Sequence, residues 1–398
     1  MFRLSESSHP ELVDLISHFQ KCTYRASSDE QHSRNILANV ANLLNRDYAF
    51  VEIKNENGSL CDSYPENIPF LLTEQAVSQS SPDQLQSLLN KCKRARCRNR
   101  FVVPVLKFEG KLLCRSATLS GSMEMLYRNG ITYLFGANGG IGNQVSPVEV
   151  VPGRDSFDQV RGADIYLLNY LEVSHIADLM LEDSKYKYGV RVTSSEKVDK
   201  EKRYNNFEVM ALPYPGVEHF ADWVDNNYDE QGLRFDWNQD FINADIRIPE
   251  KTLNHLRQKN IVSLLEIPEQ YQSWDTVQLT KSYFKLLLEV FLNNSSGLLI
   301  HCISGWDRTP FFVSLIRISL WADGLIHKSL NTAELLYFTI GYDWFLFCHN
   351  LVDRGKQRQE IFRYCFSFLR HLEHSDFSAY NIMNRQDPNL AERLNERR

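Results

Sequence analysis

The chain has 398 residues, 43% of them hydrophobic and 24% charged, enough apolar mass for a sizeable core in one large domain or two. Lys and Arg number 44 against 50 Asp and Glu, a formal net charge of −6, which excludes a protein that coats nucleic acid through general basicity. No run approaches the roughly 18–20 apolar residues that a membrane-spanning helix needs, and the opening MFRLSESSHPELVDLI lacks a secretory-type apolar core.

In chain order, PELVDLISHFQ (10–20) predicts a helix, with Leu12, Leu15, Ile16 and Phe19 on one face. Residues 33–45 predict a second, carrying Ile36, Leu37, Val40, Leu43 and Leu44 at helical spacing. YAFVEIKN (48–55) alternates like a strand, and NENGSL supplies a turn. Residues 1–90 therefore read as a small N-terminal α+β segment.

KCKRARCRNR (91–100) holds six basic residues in ten. It is either a solvated connector or a positive face turned to anionic lipid, where each nearby Lys or Arg contributes about 1 kcal/mol. Strand-like FVVPVLKFEGKLLCRSATL follows. The Gly- and Pro-rich stretch at 136–156 predicts a surface loop.

From 163 strands and helices alternate. ADIYLLNYL begins the pattern and IADLMLED follows; YGVRVTSS, FEVMALPYP and IVSLLEI read as strands. Asp275–Leu292 predicts a long helix, GLLIHC (297–302) a buried strand, and Thr309–Ala322 a helix ended by Asp323-Gly324. Thr332–Leu351 and Glu360–His371 are helical in pattern and rich in aromatics. This order predicts an α/β fold with a mainly parallel central sheet flanked by helices.

The eight cysteines are scattered, which fits a reducing, cytosolic setting without a disulfide framework. Cys92, Cys97 and Cys114 have no His/Cys pair to complete a zinc site, so no metal and no other cofactor is expected. The pattern C-x5-R occurs three times: Cys92 to Arg98, Cys302 to Arg308, and Cys348 to Arg354.

Only the Cys302 case has a buried strand before it, Gly305 inside it, and Thr309-Pro310 opening a helix after it. In such a loop, backbone N–H groups of residues 303–308 converge on one anion, and the helix dipole adds positive charge. Arg308 is placed to clamp two phosphate oxygens. The same field lowers a thiol pKa from about 8.5, making Cys302 a thiolate nucleophile rather than a small core residue. Thr309 can donate its hydroxyl to the sulfur. The leaving alkoxide needs a proton, and Asp307 is the nearest acid, with Asp275, Asp236, Asp240 and Asp245 as alternatives. No Trp-Pro-Asp tripeptide exists to supply it.

Cys302-Ile303-Ser304-Gly305-Trp306-Asp307-Arg308 resembles the C-S-D-G-W-D-R loop of the myotubularins. RNRFVVPVLKF with CRSATLSGS, and GYDWFLFCHNLVDR, resemble flanking segments of that family's catalytic domain. VRVTSSEKVDKEKRY, PYPG and LWADGLIH are similar to one divergent branch.

The resemblance implies a tyrosine-phosphatase-like fold in a domain spanning 91–398. It implies a phosphoinositide 3-phosphatase acting on phosphatidylinositol 3-phosphate and phosphatidylinositol 3,5-bisphosphate through a phosphocysteine. Family roles fall on Cys302 as nucleophile, Arg308 as phosphate clamp and Asp307 as acid. Ile303, Ser304, Gly305, Trp306 and Thr309 join them around the phosphate, and Arg354 falls on a later family arginine. The implied setting is cytoplasmic and peripheral to membranes, with links to autophagy; phosphoinositide lipids are the partners, and the basic run at Lys91–Arg100 is the candidate contact. Two departures stand out. Ile303-Ser304 replaces the family's Ser-Asp, and Asn350 replaces an arginine used for a second phosphate. A protein tyrosine phosphatase and an inactive adaptor are the rival readings.

Overall fold

The computed structural model describes residues 9–384, apart from 29, 75, 77–80, 122–123, 125–153, 188–189, 200, 244 and 259–267. The expected strand IVSLLEI and most of the 136–156 loop lie outside the described residues.

Helices α1 (Pro10–Phe19) and α2 (Gln31–Asn45) form where the apolar spacing predicts them. Strand β1 is shorter than expected, Val51–Lys54, and pairs antiparallel with β2, Asn67–Phe70. Helix α3 (Pro82–Cys92) starts at a capping box between Ser81 and Gln84, with proline in its first turn. Strands β3 (Val103–Phe108), β4 (Lys111–Ala117) and β5 (Leu119–Ser120) follow. ADIYLLNY completes helix α4, Arg154–Tyr170, and the strand comes after it as β6, Val173–Asp178. Strands β7 (Ser184–Lys187), β8 (Val190–Ser194) and β9 (Glu208–Ala211) precede helices α5 (His219–Asp225), α6 (Glu250–Gln258) and α7 (Thr276–Asn293).

Strand β10 (Gly297–Cys302) lies at the centre of a sheet ordered β3-β4-β10-β6-β9. Its pairings with β4 and β6 are parallel, as is β6 with β9; only the edge pair β3–β4 is antiparallel. The register sets Cys302 beside Ala117 and His301 beside Asp178, at the carboxyl ends of the strands. Ligands of parallel sheets bind at that edge. Every residue of β10 is buried, so its unbroken apolar run is what a strand flanked on both sides requires.

Helix α8 (Arg308–Ala322) leaves the β10 loop and is buried over most of its length. The predicted helix at 332–351 is interrupted. It begins as α9 (Thr332–Phe338), widens into a π-helical turn at Thr339–Phe345, and resumes as α10 (Leu351–Lys356). Arg317 explains part of this: its guanidinium forms a buried two-point pair with Asp343 inside the π turn and also donates to the Val105 carbonyl. Trp344, Phe345 and Phe347 are fully buried. Helix α11 (Ile361–Phe368) and helix α12 (Ala379–Asn384) close the described chain.

The N-terminal helices share this core. An added Cβ at Gly341 would meet Val40, Ile36 and Leu15, so α1 and α2 pack directly on the π turn. No described helix is long and apolar enough to cross a membrane.

Candidate active site

Strand β10 ends at Cys302 and α8 begins at Arg308, so the intervening loop is held at both ends by buried elements. Gly305 sits at φ +70, and an added Cβ would stand 2.5 Å from the Ser116 carbonyl oxygen. No other residue fits there without moving β4. The Gly305 carbonyl accepts from Arg100 Nη2 at 3.1 Å and Arg115 Nη2 at 2.8 Å. Two buried guanidiniums thus fix the outward side of the loop. Its N–H side turns to the sulfur: Gly305 N donates to Cys302 Sγ at 3.2 Å, and Thr309 Oγ1 donates at 3.3 Å.

Burial opposes a thiolate at Cys302, but Arg308, the Thr309 hydroxyl and the Gly305 N–H outweigh it and bring the pKa below the ordinary thiol value. Cys22, Cys92, Cys97, Cys114, Cys348 and Cys365 all shift upward, chiefly through burial. That contrast separates Cys302 from both other C-x5-R cysteines.

Arg308 is buried, and its Nη1 donates to the carbonyls of Leu179 at 2.8 Å and Tyr214 at 3.0 Å. Both acceptors follow strand ends of the central sheet, so the sheet itself aims the guanidinium.

Asp307 is held between two groups from the Cys348 stretch. His349 Nδ1 lies 2.8 Å from Oδ1, and Arg354 Nη2 lies 3.0 Å from Oδ2. Burial would raise its pKa, but the hydrogen bond and charge of His349 and the charge of Arg354 drive it well below the usual carboxylate range. Arg354 is therefore engaged with Asp307, and also with Gln359. The alternative acids serve otherwise: Asp275 caps α7 through Gln278 N, and Asp236 closes an exposed turn through Asn238 N. Asp245 meets Tyr271 at 3.5 Å, and Asp240 is exposed.

Ile303, Ser304 and Trp306 are half-buried along the loop. Arg98 Nη1 donates to Ser304 Oγ at 2.6 Å, and its guanidinium stands 4.6 Å from the Trp306 ring centroid. Neither reading of the 91–100 run foresaw this. Arg96 and Arg100 are buried; only Lys91 and Arg94 are exposed. The run is partly an internal brace, which leaves Lys91 and Arg94 as its exposed cations.

Behind the loop lies a buried charge network. His301 Nε2 is 2.9 Å from Glu196 Oε2, and Nδ1 is 3.8 Å from Asp178 Oδ1. Arg96 joins Glu196 to Asp164, and Lys197 pairs with Asp178 and Asp183, each at 3.2 Å. Burial works against a charged imidazole, but Glu196 and Asp178 raise the His301 pKa. His301 is thus tied to buried carboxylates behind the loop. Arg100, Arg115, Arg96, Glu196 and Asp178 escaped the sequence reading. The one available signal was Arg115 sitting inside an apolar strand run.

No protein-family model matches the chain. The mouse protein named phosphatidylinositol-3,5-bisphosphate 3-phosphatase MTMR14 is 46% identical over 389 residues, 92% of this chain and 58% of the mouse protein. The human protein of that name is 46% identical over 396 residues, 94% of this chain and 59% of its own length. A Saccharomyces cerevisiae phosphoinositide 3-phosphatase is 31% identical over 93 residues, 23% of this chain and 12% of the yeast protein. The chain spans about three fifths of the length of the two mammalian relatives.

Proposed function

We propose that this chain, similar over 92% of its length to a mammalian lipid 3-phosphatase, is a myotubularin-related, cysteine-dependent phosphoinositide 3-phosphatase with a tyrosine-phosphatase-like fold. One observation carries the reading. Cys302 is the thiol whose environment favours the anion, and it faces converging loop donors beside an arginine aimed by the sheet.

In this mechanism the 3-phosphate sits in the loop with its oxygens on the N–H groups of 303–308 and on the Arg308 donors not used by Leu179 and Tyr214. Cys302 Sγ attacks phosphorus in line; the P–O bond to the inositol breaks, and its electron pair leaves on the alkoxide. Asp307 gives that alkoxide its proton. The His349 and Arg354 contacts keep Asp307 ionised in the free protein. A phosphate dianion in the loop adds like charge beside it and raises its pKa, which brings the proton into reach. Water then attacks the phosphocysteine, Asp307 accepts its proton, phosphate leaves, and the thiolate returns. Phosphatidylinositol 3-phosphate and phosphatidylinositol 3,5-bisphosphate are the substrates, reached by peripheral contact from the cytoplasm with Lys91 and Arg94 facing anionic lipid.

Phosphate release is measured from vesicles carrying either lipid and from phosphotyrosine peptides. Turnover of the vesicles, lost in Cys302→Ser and Arg308→Ala, is expected. Peptide turnover with inert vesicles overturns the lipid assignment, and a wild type as inert as both variants overturns the enzyme.

A further inference from the structure

Away from the phosphate loop, the junction between α1 and α2 gathers a second set of reactive side chains. His18 and Cys22 are four residues apart, and the Cys22 N–H still bonds the His18 carbonyl, so one helical turn puts both on one side. Glu30, at the N-terminus of α2, reaches back toward them. His18 Nε2 lies 3.1 Å from Cys22 Sγ and 3.7 Å from Glu30 Oε1, and the three donor atoms all lie within 4.8 Å of one another.

We propose that His18, Cys22 and Glu30 form a binding site for a divalent metal of zinc's borderline-soft class. Zinc bonds of about 2.0–2.3 Å at tetrahedral angles set donor atoms roughly 3.3–3.8 Å apart, and both distances to the His18 nitrogen lie near that span. The donor set is one imidazole nitrogen, one thiolate and one carboxylate, which suits zinc over magnesium or calcium. The His18 side chain is 12% exposed and that of Glu30 40%, so an ion can enter. The fourth position falls to water or to His32, whose ring centroid is 4.2 Å from that of His18. Without a cation the arrangement is unfavourable for the thiolate: burial and then Glu30 push the Cys22 thiol up to about 11. Metal binding would release that proton.

The site is wired to the segment that holds Asp307. His18 packs edge-on against Phe345 and Phe19 against His349, while Thr23 Oγ1 donates to Asn350 Oδ1 at 2.8 Å. A bound ion pins the turn from Lys21 to Thr23 onto that segment. It acts as a structural clip, independent of which phosphate ester the loop cleaves.

The test uses the full chain carrying Cys302→Ser, so that the loop thiolate cannot bind the probe. Chelator-treated protein is titrated with Co2+ and then Zn2+. About one equivalent of Co2+ is expected, with near-ultraviolet thiolate-to-cobalt absorption that Zn2+ displaces. Zinc is expected to raise the melting temperature by several degrees. Cys22→Ser should abolish the absorption, and His18→Ala or Glu30→Gln should weaken binding at least about tenfold, with melting of each metal-free variant confirming its fold. No absorption on adding Co2+, or absorption that survives Cys22→Ser, overturns the site.

Discussion

Cys302 and Cys348 carry the same C-x5-R spacing and meet at one carboxylate, yet they do different work. Cys302 follows a buried strand, and the chain turns through Gly305 so that Arg308 opens a helix and comes back toward the sulfur. Cys348 follows a π turn in a left-handed backbone conformation, φ +64. Asn350 then caps α10 by accepting from Asp353 N, and the Arg354 guanidinium goes to Asp307 in the other loop. Identical spacing gives a loop folded around a thiol in one place and a support for that loop in the other. What differs is the element that enters the motif.

The sharpest way to break this contrast is at the sulfurs. Cys302→Ser should cut kcat by about 10^4-fold or more, whereas Cys348→Ala should leave kcat/KM within about threefold of wild type on the same vesicles. Comparable losses would mean the two motifs are not distinct. Asp307→Asn comes next, with an expected kcat loss of about 10^2–10^4-fold. Its pH–rate profile should also lack the decline expected of wild type as pH rises through the pKa of the substrate-bound Asp307. Gly305→Ala should cost about 10^2-fold in kcat while the melting curve stays cooperative, because its Cβ meets the Ser116 carbonyl and shifts the loop rather than the core.

Arg354→Gln probes the support. Arg354 helps depress the Asp307 pKa, so its loss raises that pKa and moves the alkaline limb of the kcat profile to higher pH, with a kcat change of about tenfold. The sign for stability follows from the same depression. An ionised Asp307 stabilises the fold above the ordinary carboxylate range, and that contribution is lost as pH falls below it. Denaturant melts of Arg354→Gln should therefore vary less with pH on the acid side than wild type. The smallest effect is expected at Arg98→Ala: a few-fold rise in KM with kcat nearly unchanged, since Arg98 braces Ser304 and Trp306 at the loop's edge.

Much of this was legible from residue patterns. The parallel sheet, the helices at 10–20 and 275–292, and the strand–loop–helix around Cys302 all follow from apolar periodicity and punctuation by Gly and Pro. Of the three C-x5-R copies, only the one at Cys302 has a buried strand before it. The arginines were not legible. Arg96, Arg98 and Arg100 sit in a stretch that reads as solvent- or lipid-facing because charge usually means surface, and their partners are distant in sequence: Asp164 and Glu196, Ser304, Gly305. A buried cation is recognisable only once its acceptors are placed. The clamp on Asp307 was hidden for the same reason, since helical periodicity alone continues 332–351 as one helix and has no means to show a wider turn.

That wider turn behaves as a one-residue insertion would in an otherwise regular helix. Each residue of an α-helix advances the chain by about 100° around its axis. Removing one residue from 339–345 would let the regular winding resume, with the apolar faces before and after still able to pack. The turn takes up that residue, so the chain downstream keeps its facing, with His349 and Arg354 still at Asp307. A single-codon deletion within the turn would thus be tolerated, where the same deletion in a regular helix would rotate the next segment off its partners.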